Sequence, residues 1–419
     1  MFAVLSSAWA LLLGMMLLQV GNGMQGTLLG IRGEMEGFST LEMSLVMSGY
    51  FVGFLFGSRR APEMIARVGH VRVFAALASM ISAVMILYPT FTNVYAWGLG
   101  RVLIGFCFSG VYVTAESWLN NAASNENRGK ALSLYMIMQM VGIVSAQGLM
   151  LTADPGGFIL FIIPSVLISL SFAPILLSVS PTPAFDTAKP MSLREILRIS
   201  PLGCVGMFLL GGVFSAQFGM AAVYGAEAGL SIAQISTFVA TFYVAALLVQ
   251  YPLGWLSDRM DRRLLILIVS AACAIGALIG MLFGGVFTLL LVAAFIVGGT
   301  SNPLYSLLIA YTNDFLEHED MAAAAGGMVF INGLGAVFGP IITGWMMGVV
   351  GPSGFFLFIT ILCAMMVAYA AYRMTQRAAP SVEDTDSYAA IAPGASPVVV
   401  AVAQEYAIEE AQDEDAVPS

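Results

Sequence analysis

The chain carries little charge for its length. Asp, Glu, Lys and Arg make up 10% of its 419 residues, whereas 59% are hydrophobic and the mean hydropathy is +0.89. A soluble domain has roughly a quarter of its residues charged. The shortage excludes an ordinary soluble protein and predicts an all-α membrane protein, for which lipid is the solvent.

Cysteine and histidine are scarce, and their spacing does not suit a metal site. The four Cys residues fall inside apolar runs and we place both His residues in loops: Cys107, Cys204, Cys273, Cys363, His70 and His318. Such cysteines are expected to be small buried hydrophobes without disulfide or zinc roles. The sequence also lacks a nucleotide-binding loop and a Ser/His/Asp constellation. We therefore expect no enzyme activity, no catalytic residue, no metal and no cofactor.

Basic residues are absent from the C-terminal segment. Residues 378–419 contain nine acids and no Lys or Arg, and without them the 16 remaining acids balance 16 bases. The net charge of −9 therefore describes a tail, and nothing in it suggests nucleic acid as a partner. Its Pro-, Ala- and acid-rich composition predicts a disordered acidic cytoplasmic tail over 377–419.

Long apolar runs recur twelve times, and about twenty residues suffice to cross a bilayer. The first run has no basic segment before it and continues past Val20, so we interpret it as a span and not as a cleaved signal. The predicted spans are 3–29, 40–58, 71–89, 92–118, 130–151, 156–178, 201–226, 233–256, 263–283, 286–312, 322–349 and 354–374.

The basic residues predict the orientation of these spans. With both termini in the cytoplasm, fourteen of the 16 bases face inward, whereas Arg32 lies outside and Arg101 lies within a span. The inward set is Arg59, Arg60, Arg67, Arg72, Arg128, Lys130, Lys189, Arg194, Arg198, Arg259, Arg262, Arg263, Arg373 and Arg377. We expect a multi-pass monomer in the bacterial inner (plasma) membrane.

A charged hinge joins the eighth and ninth runs. It reads Gly254-Trp255-Leu256-Ser257-Asp258-Arg259-Met260-Asp261-Arg262-Arg263 and resembles the signature loop of the major facilitator superfamily, with Asp261 where a Gly usually stands. A fainter copy, with Ala66 where the Asp should be, spans 67–72. Two copies imply a duplicated unit of six helices. The resulting domains are 1–180 and 201–376, joined by a cytoplasmic linker over 181–200.

Other strings carry the same resemblance. Arg101 with Gly105 is similar to the family's fourth-span pattern, and 335–340 supplies an eleventh-span Gly-Pro element. The fifth-span Gly-Pro element that is typical of drug/proton antiporters is missing from 142–147. The strings 115–120 (Ala-Glu-Ser-Trp-Leu-Asn) and 302–305 (Asn-Pro-Leu-Tyr) resemble the bacterial YcaD-like branch, which implies no particular substrate.

Polar residues within the spans are the candidates for substrate binding. Arg101 lies roughly 13 Å into its span at 1.5 Å per residue, where a guanidinium is costly and should face a cavity or a partner. The resemblance implies a central cavity lined by the first, fourth, seventh and tenth spans. The candidates, with two from the fifth and eleventh spans, are Gln19, Asn22, Gln25, Arg101, Tyr112, Gln139, Gln217, Tyr224, Asn302, Tyr305 and Asn332. Hydrogen bonds that merely fasten the helices remain the alternative for each.

A second set of charged residues lies near the cytoplasmic ends of the spans and is predicted to form a gate. We expect Glu116 to pair with Arg128 or with Arg59 and Arg60. The full set is Arg59, Arg60, Arg67, Arg72, Glu116, Arg128, Gly254, Asp258, Arg259, Arg262, Arg263 and Asp314. No Asp or Glu lies at mid-membrane depth, which argues against classical proton coupling, although Glu116, Glu227 or the substrate itself could carry a proton.

The sequence thus predicts a secondary active or facilitative transporter that moves a small organic solute by alternating access. The buried cation favours an organic anion or a zwitterion. One alternative is a multidrug or metabolite/proton antiporter that acts as an exporter. Another is a membrane nutrient sensor that binds its ligand without transporting it and signals through the acidic tail.

Overall fold

The structure is a computed structural model that describes residues 2–122, 125–177, 191–376, 388–391, 396 and 400. These residues form fifteen α-helices and one π-helical turn, with no β-strand among them. Most of the predicted linker 181–200 and most of the predicted tail 377–419 lie outside the described residues.

The helices fall into two successive groups. The first contains α1 (Phe2–Met35), α2 (Thr40–Val68), α3 (His70–Thr90), α4 (Val94–Ala122), α5 (Asn125–Leu149), α6 (Ile159–Ser171) and α7 (Ala173–Leu177). The second contains α8 (Leu193–Ile199), α9 (Pro201–Ser215), the π-turn Ala216–Met220, α10 (Ala221–Glu227), α11 (Ile232–Ser257), α12 (Arg262–Phe283), α13 (Phe287–Asn313), α14 (His318–Val350) and α15 (Gly354–Met374).

Eleven stretches among the described residues are long and apolar enough to cross a membrane. Two of them are composite, because α6 continues into α7 and α9 continues through the π-turn into α10. Helix α1 is not among the eleven, since the part with described side chains contains Gln19, Asn22 and Gln25. Its 34 residues are long enough to span. The prediction of an all-α membrane protein built from twelve long helices is confirmed.

Each half repeats the same packing scheme. In the first half α1 packs against α5 and α6 while α2 packs against α4; in the second, α9 packs against α14 and α15 while α11 packs against α13. A Cβ at Gly142 of α5 would lie 2.7 Å from the carbonyl oxygen of Met16 on α1. A Cβ at Gly335 of α14 would overlap the carbonyl oxygen of Phe208 on α9 in the same way. These matching close approaches confirm the duplicated six-helix unit.

Successive long helices run in opposite directions, so the bundle has two ends. We call the end that carries residues 257–263 the hinge end, and the end that carries residues 228–231 the opposite end. The short helix α8 lies at the hinge end. Its cap is Ser192, whose hydroxyl accepts from the Glu195 N–H at 3.3 Å, and Ile196 is fully buried beside Gly327 of α14. The end of the predicted linker therefore forms a short helix that packs against α14.

The two halves meet directly at the opposite end. The Thr40 hydroxyl at the start of α2 donates to the Glu227 carboxylate at the end of α10. A Cβ at Gly30 of α1 would lie 2.7 Å from the Ala222 side chain of α10. Contacts between α1 and α10, and between α2 and α14, therefore close this end of the space between the halves.

Two predictions about minor residue types have different outcomes. All four cysteines are buried, as expected. The loop position of His70 is wrong: it begins α3, is 1% exposed, and its Nε2 lies 2.8 Å from the Ser117 Oγ. The turn before it is a single glycine, Gly69, so His70 is drawn into the bundle.

Candidate functional site

A cavity of about 150 Å³ lies between the two halves at the middle of the bundle. It is lined from both sides, by α1, α2, α4 and α5 of the first half and by α9, the π-turn, α11, α13 and α14 of the second. Ten of the predicted binding residues line it: Gln19, Asn22, Gln25, Arg101, Tyr112, Gln139, Gln217, Asn302, Tyr305 and Asn332. The polar residues scattered along the sequence are thus brought to one place.

Tyr224 is the predicted binding residue that is not among those lining the cavity. Its ring stacks on Phe355 at 5.1 Å and meets Phe356 edge-on at 5.2 Å, inside the second half near the opposite end. The phenol is 3% exposed and belongs to an aromatic core. The placement of Tyr224 in the cavity is therefore wrong.

Arg101 is the one charged side chain among the described residues that line the cavity. It is 3% exposed, donates from Nη1 to the Gln25 Oε1 at 2.7 Å, and lies 4.8 Å from the centre of the Tyr50 ring. Its Nε has no hydrogen-bond partner in the described part of the chain. An amide and an aromatic face hold this guanidinium, and neither neutralises its charge.

The amides of the first half form one continuous chain of hydrogen bonds. Gln19 donates to Gln139 at 2.9 Å and accepts from the Tyr112 hydroxyl at 2.7 Å. Asn22 donates to the Tyr112 oxygen at 3.0 Å and accepts from Gln25 at 3.1 Å, and Gln25 in turn accepts from Arg101. The chain joins α1, α4 and α5, so these side chains fasten the helices while they also line the cavity.

The polar residues of the second half are held separately. Gln217 donates to the Ser301 hydroxyl at 3.0 Å, and Asn332 donates to the Met207 carbonyl at 3.0 Å. Asn302 donates to the Gly298 carbonyl at 3.1 Å, which leaves its Oδ1 buried and without a partner among the described residues. The two halves thus present different chemistry, a cation on one side and an open amide acceptor on the other.

Aromatic side chains that we did not predict complete the lining. Tyr50, Phe51 and Phe54 come from α2, Phe218 from the π-turn and Tyr243 from α11. The Phe218 and Tyr243 rings lie 5.3 Å apart. The sequence signal that could have identified two of them is the spacing of Tyr50 and Phe54, which places both on one face of a helix.

A π-helical turn interrupts the seventh span at the level of the cavity. It covers Ala216–Met220 and contains both Gln217 and Phe218. Such turns are rare and often occur at functional sites, because the widened turn redirects the side chains it carries. The turn therefore places an irregular segment of the seventh span in the cavity wall.

The hinge charges form pairs inside the second half. Arg262 at the start of α12 pairs with Asp314 at the end of α13 and reaches Asp258 at 3.5 Å. Arg263 pairs with Asp261 at 2.8 Å, and Arg259 lies over the Trp255 ring at 4.3 Å. These contacts fix the α11–α13 hinge and do not bridge the two halves. The carboxyl of Asp258 is half-buried, and burial raises its pKa.

The predicted pairing of Glu116 with Arg59 and Arg60 is wrong in the described residues. Glu116 is 1% exposed on α4 and accepts from the Tyr135 hydroxyl at 3.0 Å. Arg59 lies over the Phe330 ring at 4.1 Å, and Arg60 pairs with Glu63 at 2.8 Å. Both arginines therefore have other partners, Phe330 of α14 and Glu63 of α2.

The remaining predicted gate residues lie in different environments. Arg67 and Arg72 are exposed, as the weaker copy of the hinge with Ala66 allows. Gly254 faces the Tyr388 ring of the tail: a Cβ there would lie 2.7 Å from Cδ1. The side chain of Arg128 lies outside the described residues.

Among the described residues, no group of three or more His, Cys, Asp or Glu side chains is placed to hold a metal.

Comparison with known proteins agrees with this architecture. A sequence model of the Major Facilitator Superfamily matches residues 11–233 and residues 203–400. Two relatives named MFS-type transporter YcaD are similar over 80% of this chain and 88% of their own length. The one from Salmonella arizonae is 24% identical and the one from Salmonella heidelberg 26% identical. The predicted resemblance to the YcaD-like branch is confirmed.

Solved structures share the fold at low sequence identity. The nucleoside transporter NupG superposes with a TM-score of 0.73 at 14% identity, over 88% of this chain and 98% of that one. A bacterial homologue of the human lysosomal transporter Spinster gives 0.67 at 13% identity, over 97% and 98%. From the family match over almost the whole chain, the protein belongs to the Major Facilitator Superfamily and is a multi-pass membrane transporter.

Proposed function

We propose that the protein moves a small organic anion or zwitterion across the bacterial inner membrane by alternating access, as a secondary active or facilitative transporter. The observation that carries this proposal is Arg101, because it is the one charged residue among the described lining residues and no carboxylate is paired with it there. The cavity volume of about 150 Å³ suits a small solute.

The energetics of Arg101 favour an anionic group in the ligand. A guanidinium inside a membrane domain costs at least about 2.5 kcal/mol even on permissive insertion scales. A carboxylate or phosphate oxygen would offset that cost, and the planar fork of Arg suits bidentate recognition of such groups. The unpartnered Nε supplies a donor that the described part of the protein leaves unused.

The second half extends the recognition to a donor on the ligand. The Asn302 Oδ1 is a buried acceptor without a partner among the described residues. A buried acceptor that stays unpaired costs about 1–3 kcal/mol, so an ammonium or hydroxyl group of the ligand would be stabilised there. A zwitterion, or a hydroxylated anion, would use both halves at once.

Alternating access fits the contacts at the two ends. The opposite end is closed by α1 against α10, with Gly30 beside Ala222. We place the hinge end in the cytoplasm together with both termini, because the exposed arginines of α2 and α3 and the hinge arginines collect there. The ligand would then reach the cavity from the hinge end, and the π-turn of the seventh span would take up the shape change.

A ligand panel that covers several chemical classes of solute tests the proposal. Purified protein in detergent is heated with organic anions, amino acids, sugars or hydrophobic cations, and its melting temperature is measured. A ligand at 100 times its Kd stabilises the folded protein against unfolding by about 2.7 kcal/mol. We expect stabilisation by anions or zwitterions that is lost in Arg101→Gln and kept in Arg72→Gln, an exposed control at the hinge end.

Other outcomes of the panel would contradict the proposal. Stabilisation only by hydrophobic cations, equal in wild type and Arg101→Gln, would make Arg101 structural and would favour the drug-exporter alternative. Full retention of anion binding in Arg101→Lys would contradict bidentate recognition, because Lys keeps the charge but loses the planar fork.

A further inference from the structure

Four tail residues that the structure describes lie against the bundle at the hinge end. Ile391 is 1% exposed, Ser396 is 3% exposed and Val400 is fully buried, although all three belong to the segment predicted as disordered. Tyr388 is intermediate in exposure. These side chains follow the last long helix, α15, and return into the bundle.

Tyr388 binds the hinge region of the second half through three groups. Its backbone N–H donates to the Asp258 Oδ1 at 2.8 Å, and its hydroxyl accepts from the Gln250 Nε2 at 2.9 Å. The hydroxyl also donates to the Pro303 carbonyl at 3.4 Å, and the ring covers Gly254. The hinge glycine therefore makes room for a tail side chain in this protein.

Ile391 binds α13 at a residue next to one that lines the cavity. Its N–H donates to the Ser306 Oγ at 2.9 Å, and its carbonyl accepts from the same hydroxyl at 3.0 Å. Ser306 follows Tyr305, which lines the cavity. The backbone of Ile391 is thus fixed to α13 one residue from Tyr305.

Ser396 reaches the other half of the molecule. Its N–H donates to the Glu116 Oε2 at 2.8 Å, and both residues are almost fully buried. Glu116 belongs to α4 of the first half, whereas the partners of Tyr388 and Ile391 belong to α11 and α13 of the second. The tail therefore joins the two halves on the hinge-end side of the cavity.

The composition of this part of the tail suits burial. Residues 387–404 contain no Asp, Glu, Lys or Arg, although acids flank them at Asp386 and Glu405. Small and apolar residues predominate, which lets the segment enter a narrow space at little desolvation cost.

We infer that the tail, through Tyr388, Ile391, Ser396 and Val400, acts as an autoinhibitory plug, which enters between the halves at the hinge end and blocks solute access to the cavity until it is displaced. Its contacts with Glu116 and Ser306 hold both halves in one arrangement, so alternating access requires the tail to leave. The effect on transport rests on the proposed function, whereas the blocked access does not.

Cross-linking tests the position of the plug. The Ser306→Cys/Ile391→Cys double variant places two thiols at residues that share two hydrogen bonds, within reach of a disulfide. We expect mild oxidation to join the two thiols in a disulfide and a reductant to break it again. Each single variant is the control and should form no cross-link. Failure to cross-link in the folded protein would contradict the plug.

Labelling of a cysteine in the cavity tests whether the plug blocks access to it. Ser58 lines the cavity, so a water-soluble maleimide should label Ser58→Cys slowly in the full chain, where the four native cysteines are buried. Tyr388→Ala should raise the labelling rate about three- to tenfold, since each net hydrogen bond lost is worth a factor of this order. Deletion of residues 388–419 removes the bonds of Tyr388, Ile391 and Ser396 together and should raise the rate at least as much. Tyr372→Ala, an exposed aromatic of α15, is the matched control and should change nothing.

The outcomes separate this inference from the proposed function. Faster labelling on deletion, with faster solute uptake in proteoliposomes, supports both. Faster labelling without any solute movement supports the plug and contradicts transport. Unchanged labelling on both deletion and Tyr388→Ala contradicts the plug, whatever transport is measured.

Discussion

The Arg262–Asp314 pair lends itself to a quantitative prediction, because both side chains are 2% exposed. Asp314→Asn keeps the shape of the side chain and leaves the Arg262 guanidinium without its closest carboxylate. Asp258 at 3.5 Å remains as a weaker partner. Breaking a buried pair by removing one member costs about 3–5 kcal/mol. Because one carboxylate remains, we expect a loss at the lower end of this range, about 3 kcal/mol.

The neighbouring pair supplies the matched control. Asp261 and Arg263 have side-chain exposures of 30% and 10% and are 2.8 Å apart, so water screens them more. Asp261→Asn should cost at most about 1 kcal/mol. The two variants remove the same charge from adjacent pairs of one hinge, and burial is the main difference between them.

Thermal unfolding in detergent can measure both variants with a thiol-reactive dye, since the four cysteines are buried and become reactive on unfolding. We expect the melting temperature to fall clearly more for Asp314→Asn than for Asp261→Asn. Because the pair lies within the second half, maleimide labelling of Ser58→Cys should not change. Equal losses of stability, or faster labelling with Asp314→Asn, would refute the hinge role and restore the predicted gate role.

Three further measurements test other parts of the account. Gly105→Ala places a Cβ where it overlaps a backbone oxygen of α2 and should cost about 1–3 kcal/mol, whereas Gly98→Ala on the same helix meets nothing within 4 Å and should be neutral in thermal unfolding. Tyr50→Leu removes the ring 4.8 Å from Arg101 and should weaken anion binding about three- to tenfold by titration. Burial raises the pKa of the Asp261 carboxyl, but hydrogen bonds from a neighbouring arginine outweigh it and leave the pKa below its ordinary value. Its stabilisation is present above that value and lost as the pH falls, so Asp261→Asn should flatten the decline in melting temperature below about pH 4.

The sequence revealed the helices and most of the cavity because polar groups in apolar runs are easy to recognise. Gln19, Asn22 and Arg101 stand out in this way, since lipid exposure would be costly for them. Tyr224 shows the limit of the argument. A phenol can serve an aromatic core as well as a cavity, and depth along a span does not say which neighbours surround it.

Residues from α2 and α11 were missed for a related reason. Tyr50 and Phe51 are aromatic residues in an apolar run, where a lipid-facing and a cavity-facing side chain look alike in sequence. The end of α2 was also placed ten residues early, at 58 instead of Val68. Hydropathy ends where the chain meets water, but a helix continues as long as its backbone bonds are satisfied.

Partner choice at the hinge end lies beyond sequence patterns. The charges of Glu116 and Asp314 pointed to pairs, but their distances to the available arginines depend on how helices from distant parts of the chain pack. Composition likewise suggested disorder for the tail because the average over 377–419 is acidic. The uncharged stretch 387–404 inside it was the overlooked signal.

Solute counterflow in proteoliposomes tests the central claim most directly. Vesicles that contain wild-type protein and an unlabelled anion or zwitterion from the ligand panel should accumulate the same labelled solute, and Arg101→Gln vesicles should not. Alternating access around a cavity centred on Arg101 predicts this difference. Binding of the solute without any counterflow in wild type would contradict transport and favour the sensor, and equal counterflow in both proteins would contradict the role of Arg101.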